Sequence, residues 1–290
     1  MNPFGKIIFS ALLGGVTWLA QAQTNEFADL KKLADGGDAQ SQFVVGTMLA
    51  RGEGVEKNLV EATRWYRKAA EQNLGLAQFY LGQLCAEASP PDFAEAFKWQ
   101  RKAADKGIAP AQCALAELYA LGRGAETNAA SAALWWAQAA EKNFAEAQYQ
   151  LGLLHARTKA TKEDFGEALK WFSKAAAQGH AGAQFKLGTL YYDGHGAAQD
   201  YIVATKWFRK AAEQGVGEAC FNLGLMASYG QGGAQDYAAA YQWFTLAMWR
   251  GNQAAADDRE ALTDKMKPEQ IASGRQRAKD FAVEKKWRND

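Results

Sequence analysis

Along the middle of the chain, apolar positions recur at helical spacing in two successive stretches. Ala183, Gln184, Leu187, Gly188 and Tyr191 fall at i, i+1, i+4, i+5 and i+8, which places them on one side of a helix. After Gly194-His195-Gly196, the residues Ala204, Trp207, Phe208, Ala211 and Ala212 fall at i, i+3, i+4, i+7 and i+8, a second amphipathic stripe. The pattern predicts a helix A, a turn and a helix B, with Gly215 closing the second helix.

The pair recurs. Trp65, Trp99, Trp135, Trp171, Trp207 and Trp243 are separated by 34 residues once and by 36 four times, and each heads a stretch such as WYRKAAEQN, WFSKAAAQG or WFRKAAEQG. A second marker keeps step upstream, in Gln42, Gln78, Gln112, Gln148, Gln184 and, with the residue changed, Cys220. Two markers with one period define six tandem copies of a helix-turn-helix unit.

Residue sizes indicate how the helices meet. Glycine inside a helix costs on the order of 1 kcal/mol relative to alanine. Its return at Gly46, Gly82, Gly152, Gly188 and Gly224 therefore requires a packing reason, and Ala116 in the third repeat is the next smallest residue. A thinned helix A allows close approach, and Trp207 and Phe208 supply the buried area on helix B. One pair cannot bury both flanks of its stripe, so neighbours must stack. The expected fold is all-α, a right-handed α-solenoid of six repeats over about residues 39–251 with capping helices at both ends. The front cap is expected from Phe27 to Gly37, and the rear caps from Gln253 to Met266 and from Pro268 to Trp287, the latter opened by its proline.

At 290 residues, with 48% apolar and 22% charged, the chain suits a folded protein with a substantial core. The N-terminus adds a feature outside the repeats. Lys6, an apolar stretch from Ile7 to about Leu19 and the small-x-small site Ala20-Gln21-Ala22 have the form of a cleavable secretory leader. The expected division is a leader over 1–22, a repeat domain over 23–252 and a helical cap over 253–290 belonging to the same domain. The apolar stretch is shorter than the roughly 20 residues of a membrane span. A periplasmic or secreted product without an integral membrane segment is expected.

Without the leader, whose one charged side chain is Lys6, 32 basic residues balance 32 acidic ones, and no long-range field recommends nucleic acid as partner. Near the C-terminus Arg275, Arg277, Lys279, Lys285, Lys286 and Arg288 alternate with Asp280 and Glu284, which reads as a solvated helix face. Cys85, Cys113 and Cys220 are an odd, sparse set at small or apolar helical positions and read as packing residues; a Cys85–Cys113 bridge and a lone reactive thiol stay open.

The motifs AxAQxxLGxxY, a GxG loop, an Asp-aromatic start to the next helix and WFxKAAxQG together resemble the Sel-one-like repeat (SLR) family, a relative of the tetratricopeptide repeat. The resemblance implies an α-solenoid that acts as an adaptor or scaffold for protein complexes, with bacterial members often exported. Two repeats depart from the pattern. The second has Ala88-Ser89-Pro90-Pro91 in place of the GxG loop and the fourth has Arg157-Thr158-Lys159-Ala160, so both loops are expected to take a different course. Some cysteine-rich relatives are credited with binding or hydrolysing β-lactams, and their paired cysteines are absent here.

Candidate chemistry is sparse. His155, His180 and His195 have no second ligand-type residue at metal-site spacing, and His155 takes the slot of Tyr119 and Tyr191. No nucleotide-binding, GxSxG or HExxH motif occurs, and Asp257 and Asp258 are adjacent, hence splayed on a helix. No catalytic residue, metal site or cofactor is expected. One column carries the candidate function: after the marker come Phe43, Phe79, Cys113, Tyr149, Phe185 and Phe221. On a helical wheel it lies about 200° from the Leu187 row, away from the A-to-B seam. It either packs against the adjacent repeat or opens onto the groove lined by successive A helices, beside Gln150, Lys186 and Asn222.

The expected function is a non-catalytic scaffold that binds a protein or peptide along the concave surface through Phe43, Phe79, Tyr149, Phe185 and Phe221. The alternatives are a cell-envelope enzyme acting on β-lactam or cell-wall peptides, which needs convergent polar groups in one pocket, and a purely structural spacer, whose groove its own side chains would fill.

Overall fold

The computed structural model describes residues 16–157 and 161–287, over which the chain forms fifteen helices and no strand. Helix α1 (Val16–Asp35) precedes six helix pairs: α2 (Ala39–Arg51) and α3 (Leu59–Glu71), α4 (Gly75–Glu87) and α5 (Phe93–Asp105), α6 (Ala109–Leu121) and α7 (Ala129–Glu141), α8 (Ala145–Arg157) and α9 (Lys162–Ala177), α10 (Ala181–Asp193) and α11 (Tyr201–Glu213), α12 (Gly217–Tyr229) and α13 (Tyr237–Trp249). Helices α14 (Ala254–Thr263) and α15 (Pro268–Glu284) follow. The chain divides within α7, between Trp135 and Trp136, into two compact bodies. In the first, α1 to α6 pack in order, each on its neighbour; in the second, α8 to α13 do the same, and α14 and α15 both pack on α13. Among the described residues no helix is long and apolar enough to cross a membrane.

The B helices start at polar caps and the A helices mostly do not. Asn58, Asp92, Asn128, Asp200 and Asp236 each accept a backbone N–H of their helix's first turn, and Thr161 forms a capping box with Asp164. Helices α4, α6 and α12 begin instead after Leu74, Ile108 and Val216, which cap with no side chain. Each of these three apolar residues gives its N–H to a carbonyl near the end of the preceding B helix, Leu74 to Ala69, Ile108 to Ala103 and Val216 to Ala211. The residue before them is left-handed: Asn73 at φ 69°, Gly107 at 78° and Gly215 at 88°.

The helical glycines face the residue after each tryptophan. A β-carbon on Gly46 would stand 2.9 Å from the Tyr66 ring, and on Gly152, Gly188 and Gly224 at 2.5, 2.7 and 2.6 Å from Phe172, Phe208 and Phe244. All four rings are almost wholly buried, so their area is gained only because helix A offers bare backbone. The second repeat has Gln100 in this slot, 2.8 Å from the same point on Gly82.

A glutamine relay joins successive pairs. The marker Gln184 gives its Nε2 to the Ala176 carbonyl at the end of α9, and its Oε1 accepts from Gln214 at the end of α11 at 2.8 Å. Gln42 does the same with Ala34 and Gln72, and Gln148 with Ala140 and Gln178. Each of these carbonyls also accepts a backbone N–H of its own turn, Ala34 from Gly37, Ala140 from Asn143 and Ala176 from Gly179, so the buried amide adds a second donor and ties three helices together. Because Gln42 treats α1 as it would a B helix, α1 is the front cap; it starts at Val16, upstream of the Phe27 expected from the pattern. The proposed leader, residues 1–22, lies outside the described residues as far as residue 15.

The GxG loops are turns and clasps. Their first glycines close helix A in the left-handed region, at Gly52, Gly122, Gly194 and Gly230. The second glycine lies on the preceding repeat: a β-carbon on Gly196 would meet the Phe165 carbonyl, and one on Gly232 the Tyr201 carbonyl. The residue between them docks on the same helix start, His195 stacking on Phe165 at 4.4 Å and Arg123 standing 5.0 Å over Phe93. The second repeat keeps the closure while losing the glycines. Asp92 donates its N–H to the Cys85 carbonyl as Asp200 does to Tyr191, with two fewer residues between. In the fourth repeat, 158–160 lie outside the described residues.

At the rear, α15 takes the place a further repeat would have. Gly274 lets it approach α13 so closely that a β-carbon there would be 2.6 Å from the Ala238 carbonyl. Phe281 packs edge-on against Trp243 at 5.1 Å, and Arg250 covers Trp287 at 4.0 Å. Most of the C-terminal cations described lie on a solvated face, Lys285 being half-buried, and two of them have partners across the fold. Arg277 pairs with Asp236 at 3.0 Å, and Lys285 reaches Glu213 at 3.8 Å as well as Glu284. Arg275, Lys279 and Lys286 are exposed, and Arg288 lies outside the described residues.

Candidate interaction face

The aromatic column lies elsewhere than its wheel angle indicates. Phe43, Tyr149, Phe185 and Phe221 each contact the buried ring of their own repeat's helix B, at Tyr66, Phe172, Phe208 and Phe244, with centroids 5.7 to 5.9 Å apart. The column therefore flanks the A-to-B seam instead of facing away from it. The reason is that Phe185 precedes Gly188 by three residues and shares its ridge, so the ring that fills the space over the glycine reaches the phenylalanine too. Phe79 contacts Tyr80 at 5.1 Å, and Tyr80 in turn joins Phe43 and Tyr66.

Five of the six column side chains, Phe43, Phe79, Tyr149, Phe185 and Phe221, are half-buried: one side rests on the core and the other stays accessible. Cys113 alone is fully buried. Beside Phe185, Lys186 holds its ammonium 5.6 Å over the ring, and beside Tyr149, Gln150 donates to Glu146 at 2.8 Å. The opposite, B-helix side is organised differently. Lys68, Lys102, Lys174 and Lys210 lie 4.1 to 4.5 Å over Trp65, Trp99, Trp171 and Trp207 one turn upstream. There the aromatic faces are covered by the chain's own cations.

Polar groups converge at His180. His180 caps α10, its Nδ1 accepting the Ala183 N–H at 3.1 Å, which leaves Nε2–H to donate to Glu146 at 2.9 Å. The ring stacks on Tyr149 at 4.5 Å. The hydrogen bond from His180 holds the Glu146 carboxyl below its ordinary range. Both imidazole nitrogens are thus engaged in holding α8 to α10. Among the described residues no group of three or more His, Cys, Asp or Glu is placed to hold a metal ion. Cys85 and Cys220 are buried free thiols, and burial pushes the Cys220 thiol up to about 12.

In the first body a cleft of about 280 Å³ is lined by α4, α5 and α6. Its position coincides with a break in the repeat. Gln100 stands where four other repeats have Tyr or Phe, and Ala114 where the second repeat has Tyr80. The sequence marks Gln100 as an exception to an aromatic column, whereas the Ala114 column, with Val44, Tyr80, Gln150, Lys186 and Asn222, keeps no regular residue.

Helix pairs with this packing and these caps define an all-α repeat protein of the solenoid class. The Sel1 repeat model matches six successive segments, 39–74, 75–108, 109–144, 145–180, 181–216 and 217–247, and the chain belongs to the Sel1 repeat family. Proteins of this family are generally protein-interaction scaffolds. Two solved structures are similar at 30% identity. One is a protective antigen present in uropathogenic Escherichia coli strains displaying an SLR fold, with a TM-score of 0.86 over 92% of this chain and 59% of that one. The other is a Sel1 repeat protein from Oxalobacter formigenes, with a TM-score of 0.74 over 84% of this chain and 74% of that one. The chain thus spans well under two thirds of the length of the first. No curated protein matches it significantly.

Proposed function

We propose that the protein is an exported, non-catalytic scaffold that binds a protein or peptide along the surface formed by its A helices, in the periplasm or outside the cell. What carries the reading is the half-burial of Phe43, Phe79, Tyr149, Phe185 and Phe221. A ring locked on one side and open on the other is a rigid anchor at little entropic cost, the kind of residue that dominates interfaces. On the B helices Trp65, Trp99, Trp171 and Trp207 lie under lysines at 4.1 to 4.5 Å, closer than Lys186 stands over Phe185 at 5.6 Å. Family membership supports the scaffold role, and the leader-like N-terminus supports export.

The test is the double substitution Phe185→Ala and Phe221→Ala in the chain without residues 1–22. Partner capture should fall at least about tenfold, the loss expected for interface anchors, while circular dichroism stays helical. Unchanged capture by the folded variant would overturn the reading. Export is tested by fractionation: the chain should be found outside the cytoplasm, shortened to begin at Gln23.

A further inference from the structure

We infer that the cleft between α4 and α6 receives a basic side chain, lysine or arginine, of the bound partner; the inference rests on the A-helix surface being the docking face. A recess at the same register recurs in the sixth repeat, about 180 Å³ beside Phe244, so the groove belongs to the repeat; in the second repeat it is wider, about 280 Å³, and has Gln100 in place of the ring. At about 280 Å³ the opening falls just under the roughly 300–1,000 Å³ of small-molecule sites. It is large enough for one long side chain.

Its chemistry selects a donor. Gln100 is 2% exposed, and its Nε2 is given to the Phe79 carbonyl of α4 at 3.2 Å. Its Oε1 is left on the other side of the amide, buried and with no hydrogen-bond partner. An unpaired buried acceptor costs about 1–3 kcal/mol, which a donor arriving from the cleft would relieve. Ala86, Ala114 and Leu118 provide apolar walls for an aliphatic stem, and Glu87 and Glu117 place carboxylates at the exposed rim. The one cation there, Arg123, stands over the Phe93 ring. With Glu87 and Glu117 against Arg123 the rim is acidic by one charge, and the unpaired acceptor of Gln100 adds to it, so the balance favours an ammonium or guanidinium over a carboxylate.

Selection from a phage-displayed random-peptide library against the chain without residues 1–22 tests this. Bound peptides should share a Lys or Arg at one position, and replacing it by norleucine should weaken them about tenfold. Gln100→Phe, which installs the residue that packs on Gly152, Gly188 and Gly224, should weaken the same peptides about tenfold. Ala114→Tyr should do so as well, and both variants should keep the wild-type circular dichroism spectrum. Peptides that bind with no basic position, or that ignore both substitutions while losing affinity on Phe79→Ala, overturn the inference and leave the docking face standing. Selection of no peptide overturns both.

Discussion

Gly188 and Phe208 are fitted so closely that a single added β-carbon would stand 2.7 Å from the ring. The pair joins the two helices of a repeat, and its counterparts recur at Gly46 with Tyr66, Gly152 with Phe172 and Gly224 with Phe244. Gly188→Ala should therefore destabilise the protein even though alanine is the better helix former. Overpacking costs about 1–3 kcal/mol against a propensity gain of about 1 kcal/mol, so a net loss of about 1 kcal/mol is expected in urea denaturation. Adding Phe208→Leu should recover part of that loss, since the coupled pair is non-additive.

The glutamine relay yields a stabilising change. In the second repeat the residue that ends the B helix is Lys106, where Gln72, Gln178 and Gln214 stand in other repeats, and the Gln78 Oε1 is buried with no hydrogen-bond partner. Lys106→Gln supplies the missing donor. It should raise stability by about 0.5–1.5 kcal/mol, read as a higher urea midpoint with unchanged slope.

Removing a relay member should do the reverse. Gln184→Leu takes one of two donors from the Ala176 carbonyl and removes one of the two acceptors of the Gln214 amide. A loss of about 1–3 kcal/mol is expected in the same measurement.

The rear cap carries a pH dependence. Burial alone would raise the Asp236 carboxyl, but the Ala239 N–H and Arg277 hold it below its ordinary range. A depressed folded pKa contributes stability that is present above the unfolded value, about 3.9, and is lost as pH falls through the folded one. Asp236→Asn keeps a capping oxygen for α13 and removes the charge. The wild type should be the more stable at pH 7, by well under 1 kcal/mol because the pair is half-exposed. The difference should vanish in acid, as followed by thermal melts across pH.

Cys220 should resist modification in the native state. Its side chain is fully buried and burial pushes the thiol up to about 12, so little thiolate exists at pH 8. A chromogenic disulfide reagent should react with it only on unfolding; rapid reaction of the native protein would show that α12 and α13 open locally.

The repeat was legible from two spacings, that of the tryptophans and that of the glutamines, because both residues are tied to helix packing and seldom exchange there. Boundaries within the repeats fell within a few residues, the front cap began eleven residues upstream of Phe27, and the helical glycines had the packing reason their cost demanded. Three things were not legible. The column of Phe43 and Phe185 sits at the seam because Tyr66 and Phe208 are large enough to reach it, which no wheel angle contains. The GxG loops show turn chemistry in their composition, whereas the lodging of Gly196 against Phe165 depends on a neighbouring repeat. Arg277 is exposed as expected, but its pairing with Asp236, like that of Lys285 with Glu213, was not legible because the partners are distant in sequence.

The central claim is that partners dock on the A helices and not on the B helices. A photo-crosslinking benzoylphenylalanine in place of Lys186, beside Phe185 on α10, or in place of Lys206, exposed on α11, compares the two faces directly in living cells. The account predicts a discrete crosslinked species from position 186 that is absent from position 206 and lost when Phe221→Ala is added. Crosslinking from 206 alone, or equal yields from both positions, would contradict it.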